Sequence, residues 1–324
     1  MTSRSWIQAL GLLLMVFTLG ACGETENSSA PPPSNPFEAA RVGADSTLEV
    51  MTWNIENFPK YTAALDNYVI DSPTTVDWVR EIIEGLQPDI VAVQEIYNEN
   101  GGGAAFDKVV AQLEGWGGVR ARSDNYANLG FLYREDGGLV FTTAYEIFVS
   151  SEYSREFPRS PYVLEATWNG TPVVVIANHL KASGDGNLDT SDLWDEETRR
   201  RDACVLLEEY VAANHAGQRV FIVGDMNDEL DDDADDNVFL NFLDAPASWR
   251  FTDLPIALGP SSGWSYPGWP SHLDHILVTD ALFPALAGPT DTTMVVPLHQ
   301  YMGGWSNYDS KVSDHLPVVI RLQP

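Results

Sequence analysis

The chain is a succession of short apolar runs, several of which stop at a residue able to move a proton or bind a cation. Leu48-Glu49-Val50-Met51-Thr52-Trp53 alternates with a period of two and ends at Asn54, which predicts a half-buried strand. Pro88-Asp89 introduces Ile90-Val91-Ala92-Val93, a continuous apolar run of the kind buried on both faces, and it stops at Gln94-Glu95. Further strands are predicted over 129–133, 139–148, 162–168, 172–179, 219–225, 273–278, 293–297 and 316–322. Val79, Ile82, Ile83 and Leu86 share one helical face and predict a helix over 74–86. A second helix is predicted over 106–113, between Gly101-Gly102-Gly103 and Gly115. A third, over 193–213, carries Cys204, Leu207 and Val211 on one stripe. Many short strands with interspersed helices predict an α/β domain layered around sheets, running from residue 47 to 324 without internal repeats.

Composition sharpens this in three ways. With 324 residues, 44% of them hydrophobic, the chain can build a large core. The formal net charge of −29 repels polyanions at long range, which argues against broad electrostatic binding of nucleic acid. Two cysteines, Cys22 and Cys204, do not make a disulfide framework, and Cys204 reads as a core thiol.

The N-terminus is not read as part of the domain. Arg4 precedes an uncharged stretch from Ile7 to Leu19, short for a membrane span and typical of a signal segment. It ends in Leu19-Gly20-Ala21-Cys22, which resembles a bacterial lipobox. That resemblance implies a signal peptide over residues 1–21, lipid attached to Cys22, and a protein anchored in the bacterial cell envelope, at the outer membrane or cell surface. Residues 22–46 include Pro31-Pro32-Pro33 with several Ser and Asn, and they read as a flexible linker between lipid and domain.

The ends of the apolar runs carry the candidate chemistry. Asn54, Glu95, His179, Asp225 with Asn227, Asp274, and Asp314 with His315 all stand at or beside a predicted strand end. One such ending is unremarkable. Several of them suggest strand ends converging on one polar cleft. A carboxylate beside an imidazole, as in Ser313-Asp314-His315-Leu316-Pro317, forms an acid/base pair, and a histidine with an ordinary pKa of about 6.5 titrates near neutrality.

Six motifs fall in order: Thr52-Trp53-Asn54-Ile55-Glu56-Asn57-Phe58, Gln94-Glu95, Asn178-His179-Leu180-Lys181, Gly224-Asp225-Met226-Asn227-Asp228, Leu273-Asp274-His275-Ile276-Leu277 and Ser313-Asp314-His315-Leu316-Pro317. Together they resemble the endonuclease/exonuclease/phosphatase superfamily, of the deoxyribonuclease I type, over nearly everything from residue 48 onward. The resemblance implies a four-layer α/β sandwich, two packed mixed β-sheets flanked by helices. It also implies hydrolysis of phosphate esters with Mg²⁺, or with Mn²⁺ or Ca²⁺. Such hydrolysis needs an activated water, neutralised phosphate oxygens and help for the leaving alkoxide, and a hard cation on oxygen ligands meets the second need.

By the same resemblance Glu95 is the principal metal ligand, with Asp314 on the metal side. Asn54 orients the Glu95 carboxylate, joins the metal shell or contacts phosphate. Asp225 and Asn227 hold the attacking water and a phosphate oxygen. His315 is the general base oriented by Asp274, and His179 serves as acid or transition-state donor. Arg159, in Phe157-Pro158-Arg159-Ser160-Pro161, could contact phosphate, while His272 and His275 read as structural. Lys181, Lys311 and Arg199-Arg200-Arg201 suggest positive charge gathered near the cleft, although at least two of the arginines read as helix surface. The tract from Asp228 to Asp236, seven carboxylates in nine residues, reads as a solvated loop before a Ca²⁺ loop, since it lacks EF-hand spacing.

The expected activity is that of a lipid-anchored, monomeric endonuclease cutting phosphodiester bonds in DNA or RNA. The alternative is a phosphodiesterase or phosphatase acting on phospholipid headgroups or small phosphoesters, with Trp264, Tyr266 and Trp269 available to touch lipid or stack on a base. A binding protein that had lost catalysis would show gaps among Glu95, His179, Asp225, Asn227, Asp274 and His315, and all six are present.

Overall fold

A computed structural model of the chain describes residues 35–60, 74–98, 101–122, 127–288 and 291–324. Period-two alternation divides the strand residues between a face shared by two sheets and an outer face covered by helices. One sheet joins β1 (Leu48–Phe58), β2 (Ile90–Tyr97), β3 (Trp116–Arg120), β4 (Ala127–Arg134), β11 (Thr292–Val295) and β12 (Val318–Leu322) in the order β11-β12-β1-β2-β4-β3. The other joins β5 (Leu139–Glu146), β6 (Tyr162–Trp168), β7 (Thr171–His179), β8 (Val220–Asp225), β9 (Trp249–Phe251) and β10 (Asp274–Thr279) in the order β5-β6-β7-β8-β10-β9. Each sheet contains one parallel pair, β1 with β2 and β7 with β8.

Leu48 and Val50 of β1, Ile90 and Ala92 of β2, Val175 and Ala177 of β7, and Phe221 and Val223 of β8 fill the space between the sheets. Their neighbours one residue along point outward. Met51, Trp53, Val91 and Val93 pack with the apolar faces of α1 (Thr75–Leu86) and α2 (Gly102–Gln112). Val174, Ile176, Val220 and Ile222 pack with Cys204, Leu207 and Val211 of α3 (Glu196–Asn214). Short α4 (Leu240–Leu243) and α5 (Leu254–Ala257) add Phe242 and Ala257 to that outer layer. This is the α/β sandwich of two packed mixed sheets and flanking helices that the motifs implied, and the Cys204 stripe is buried as expected. Thr74 caps α1 with a reciprocal capping box to Asp77, which explains why that helix begins where its apolar face does.

The linker reading needs correction at its C-terminal end. Residues 22–34 lie outside the described residues, as do Cys22 and the whole signal segment. Residues 35–46, however, belong to the fold. Asn35 caps a 3₁₀ turn over Pro36–Ala40, and Phe37 is fully buried with its ring edge-on to Trp78 of α1. Phe37, buried Val42 and the hydrogen bonds from Asn35 Nδ2 to the Glu81 carbonyl and from the Val42 and Gly43 N–H groups to the Leu86 carbonyl tie down a stretch whose composition reads as linker. Among the described residues no helix is long and apolar enough to cross a membrane.

Candidate active site

The alternation that builds the inter-sheet core also delivers the polar cluster. On β8 the inward positions run Phe221, Val223, Asp225; on β10 they run Val278, Ile276, Asp274; on β7 they run Val175, Ala177, His179. Asp225 is the register partner of Asp274 on one side and of His179 on the other, so the three side chains form one row at the end of the sheet. Gly224 lets β7 and β8 close at this row: its φ is 149°, and a Cβ there would lie 2.0 Å from the Asn178 carbonyl oxygen. On the facing sheet the inward series Leu48, Val50, Thr52 ends at Asn54.

Asn54 joins the two sheets. Its Nδ2 donates to Glu95 Oε1 at 3.1 Å and to Asp225 Oδ2 at 2.9 Å. Glu95 breaks the alternation of β2, since strict parity would send it outward with Val91 and Val93. A positive φ of 68° and a register irregularity between Val93 and Ile96 turn it inward, where Oε2 also accepts the Asn57 N–H at 2.7 Å. A non-glycine residue held at positive φ is uncommon, and its presence here fits a functional constraint.

His315 is fixed from below. Ser313 Oγ donates to the Asn54 carbonyl at 2.6 Å and accepts the His315 N–H at 2.9 Å. Tyr308 Oη and Trp53 Nε1 both donate to the His315 carbonyl, at 2.6 and 3.3 Å. The ring then points Nδ1 at Asp274 Oδ2, 2.7 Å away, and Nε2 toward Asp225 Oδ2 at 3.7 Å and Asp314 Oδ1 at 3.9 Å. Tyr266 lies over the ring, with centroids 4.7 Å apart.

His179 is buried, with Nε2 3.5 Å from Asp225 Oδ2 and 3.9 Å from Glu95 Oε1. Its Nδ1 has no hydrogen-bond partner among the described residues. Arg159 Nη2 donates to the Leu180 carbonyl at 2.8 Å, its Nε is buried without a hydrogen-bond partner among the described residues, and it interacts electrostatically with Asp225 and Glu95. Asn227, at φ 55°, sends Nδ2 to the same Leu180 carbonyl at 3.3 Å. The structure thus brings together Asn54, Glu95, Arg159, His179, Asp225, Asn227, Asp274, Asp314 and His315.

Charge states follow from burial and neighbours. For His315, burial works against protonation, but Asp274 and Asp225 outweigh it and raise the pKa to about 10. The expectation of an unperturbed imidazole is therefore corrected: in the free protein His315 is an imidazolium, ion-paired with Asp274 and short of a proton-accepting lone pair. Burial raises Asp225 to about 6, with His315 pulling the other way, and it raises Asp314 to about 7, aided by Glu56 and Glu95. His179 is pushed well below the ordinary histidine range by burial and by the positive Arg159 and His315. It is neutral at pH 7, which suits a hydrogen-bond donor to a phosphate oxygen better than a proton-delivering acid.

The donor set fits a hard divalent cation. Glu95, Asp225 and Asp314 crowd one cleft, neutral Asn54 donates to the first two, and Asp314 Oδ1 is buried with no hydrogen-bond partner among the described residues. Mg²⁺ asks for only one or two carboxylates, and Glu95 and Asp314 could supply them with Asn54 beside them. Bound there, a cation would neutralise phosphate oxygens and oppose the pull that holds His315 protonated.

Arg159 brings positive charge to the cleft, whereas the residues named for a wider positive surround are otherwise engaged. Lys181 pairs with Glu196, and Lys311 lies over the Trp78 ring. Arg200 is buried, where Nε donates to Asp228 Oδ2 at 2.7 Å, while Arg199 and Arg201 are partly exposed as expected. Asp231, Asp233 and Asp235 of the acidic tract are exposed, whereas Asp228 is buried and Glu229, Asp232 and Asp236 are half-buried, so the solvated-loop reading describes only part of it. Sequence reasoning missed Ser313 and Glu56, which accepts the Asp314 N–H at 2.9 Å. Tyr266, read from the sequence as available to touch lipid or stack on a base, lies against the His315 ring. A hydroxyl one residue before an Asp-His pair was the available signal for Ser313, and Glu56 had none beyond lying in the first motif.

A family model described as the Endonuclease/Exonuclease/phosphatase family matches residues 51–315. No curated protein sequence matches significantly. Solved structures with similar folds include D. rerio TDP2 complexed with a single-strand DNA product, at 13% identity and a TM-score of 0.60, covering 86% of this chain and 100% of that one. The human Nocturnin catalytic domain with bound sulfate is 15% identical with a TM-score of 0.57, covering 87% of this chain and 96% of that one. A Bacteroides thetaiotaomicron mannosyl-6-phosphatase is 13% identical with a TM-score of 0.55, covering 85% and 99%. With the matched span running from β1 through His315, and with both sheets in place, the chain belongs to the endonuclease/exonuclease/phosphatase family.

Proposed function

We propose that this protein is a divalent-metal-dependent phosphoesterase, and that it cuts phosphodiester bonds in nucleic acid. The observation that carries the reading is the row His179–Asp225–Asp274 facing Glu95 and Asn54, with His315 held between Asp274 and Asp225. Neutral His179 and Arg159 donate to non-bridging phosphate oxygens. Asp225 and Asn227 orient the attacking water. His315 would accept its proton, with a metal at Glu95 and Asp314 supplying the positive charge that offsets the carboxylates around the ring. Mg²⁺ is the first choice of ion, with Mn²⁺ or Ca²⁺ as substitutes.

A second substrate class has its own support. A net charge of −29 disfavours long polyanions, and Trp269, 77% exposed, stands in the loop that carries Tyr266 over His315. A phospholipid headgroup or a small phosphoester meets less repulsion than a polymer. The lipobox-like Leu19-Gly20-Ala21-Cys22 supports a lipid anchor in the bacterial cell envelope, where either substrate could be met, and the enzyme is proposed to act as a monomer.

The test is a panel of plasmid DNA, RNA, sphingomyelin and a sugar phosphate, each with Mg²⁺, Mn²⁺ or Ca²⁺ and with chelator. Chelator-sensitive cleavage of nucleic acid supports the first reading. Turnover of lipid or sugar phosphate without nucleic-acid cleavage replaces it with the second, and no hydrolysis of any phosphoester overturns both.

A further inference from the structure

Beneath the row of candidate catalytic side chains, on the opposite face of β10, lies a second polar cluster. His275 follows Asp274 and therefore points outward, fully buried, with the rings of Phe239 and Phe251 edge-on at 5.5 and 5.8 Å. Its Nδ1 is 2.6 Å from Asp253 Oδ2, and its Nε2 is 2.9 Å from the backbone carbonyl of Asp228. A carbonyl has no hydrogen to give, so Nε2 carries one.

The state of Nδ1 follows from the neighbours of Asp253. His272 Nδ1 accepts the Ser265 N–H at 3.3 Å, so its proton is on Nε2, which donates to Asp253 Oδ2 at 3.1 Å. Asp253 Oδ1 accepts the Ile276 N–H at 2.9 Å. Two N–H donors favour the ionised carboxylate, and His275 Nδ1 then donates to it as well. The ligand atoms of Asp253, His272 and His275 lie within 4.8 Å of one another, a spacing a metal could bridge. The same hydrogen bonds argue against one. A metal on His272 Nε2 would move that ring's proton to Nδ1, where it would meet the Ser265 N–H head-on.

The cluster does not end there. The Asp228 carboxylate accepts from Arg200 Nε at 2.7 Å. Arg200 Nη1 donates to the carbonyls of Lys181 and Ser183 at 2.8 and 2.6 Å, and Nη2 pairs with Glu197 at 3.0 Å. His275 adjoins Asp274 within β10, Asp228 adjoins Asn227, and Lys181 lies two residues beyond His179, so the network grips the chain just past the ends of β7 and β8 and at the start of β10.

We propose that His275 is a positioning residue: a buried imidazolium that, through Asp253 on one side and Asp228 with Arg200 on the other, fixes His179, Asp225 and Asp274 in register with His315. The charged and titratable groups facing it are Asp253, His272 and Asp274. Burial opposes its charge, and Asp253 prevails and raises its pKa. Burial alone would raise Asp253 too, yet His275 and His272 hold it well below the usual carboxylate range. The inference rests on the site reading above only for its kinetic arm.

The first test needs no variant and no substrate. Ring-nitrogen NMR of the full chain at pH 7 is expected to find both His275 nitrogens protonated and His272 protonated at Nε2 alone. A neutral His275, or a stoichiometric metal that survives chelator and shifts both rings, overturns the proposal. The second uses His275→Gln and Asp253→Asn, read by the low-field Nδ1–H signal of His315. That signal is expected to broaden or shift upfield in each, with kcat down roughly 10-fold to 100-fold and KM within about threefold. The double variant should be no worse than the worse single one, because both act through one pair. A folded His275→Gln protein with an unmoved His315 signal overturns the positioning role, whatever the substrate proves to be.

Discussion

Asp225 and Asp274 are cross-strand partners, and His315 stands between them, with Nδ1 2.7 Å from Asp274 and Nε2 3.7 Å from Asp225. One ring nitrogen is thus held and the other is left facing the cleft, the arrangement a base needs once it is relieved of its extra proton. Asp274→Asn keeps the shape and loses the charge that sets the tautomer. The expected outcome is a fall in kcat of roughly 10³-fold with a stable fold, measured by steady-state hydrolysis beside a thermal melt. An unchanged kcat would remove Asp274 from the site.

Stability should depend on pH with a definite sign. Asp225 and Asp314 have folded pKa values of about 6 and 7, raised from 3.8, and His315 is raised from 6.5 to about 10. A raised folded pKa means that the folded state binds protons more tightly, so each contribution is present at low pH and lost as pH rises. The two carboxyl contributions fade between about pH 4 and 7, and that of His315 fades between about pH 6.5 and 10. His315→Gln should flatten the upper window in denaturant titrations at low ionic strength and, because the ring's charge pulls Asp225 and Asp314 down, move the lower one to higher pH.

Metal binding should run the other way. A cation needs deprotonated carboxylates, so its binding releases protons and strengthens as pH rises. Mg²⁺ or Mn²⁺ is expected to raise Tm more at pH 8 than at pH 5.5. In Glu95→Gln the metal-dependent part of that rise should shrink, with affinity down at least about tenfold by calorimetry. An equal metal response in wild type and Glu95→Gln would move the ion elsewhere.

Phe37 offers a test of where the fold begins. It is fully buried between the segment at 35–46 and α1. Phe37→Ala should cost about 3–5 kcal/mol in chemical denaturation. A protein starting at residue 35 should melt like the full chain, and one starting at residue 47 should melt well below it.

How much of this was legible beforehand differs from element to element, for physical reasons. Strands such as Tyr162–Trp168 and Thr171–His179 announced themselves because every second residue feeds a core, and in the second the polar residue that ends the run, His179, is the one that reaches the site. β3 was missed because Gly117-Gly118 in the middle of this five-residue strand weaken its propensity signal. The glycines are there because a Cβ at Gly117 would lie 2.3 Å from the Tyr133 ring, and packing overrides propensity. β9 is three residues long and α4 and α5 four each, too short to display a period. Which residues meet was visible as motifs, but their charge states were not. The pKa of His315 depends on two carboxylates, Asp225 and Asp274, that lie 90 and 41 residues away in the chain and adjoin it only when β8 and β10 pair. Glu95 reaches the cleft through a positive φ that parity would have denied it.

The most direct test of the central claim is the metal-dependent rate of phosphoester hydrolysis by the full chain, set beside His315→Ala and Asp225→Asn. The account expects chelator-sensitive turnover in the wild type and a loss of roughly 10²–10⁴-fold in each variant, with Tm preserved. Hydrolysis that persists undiminished in both variants would contradict it.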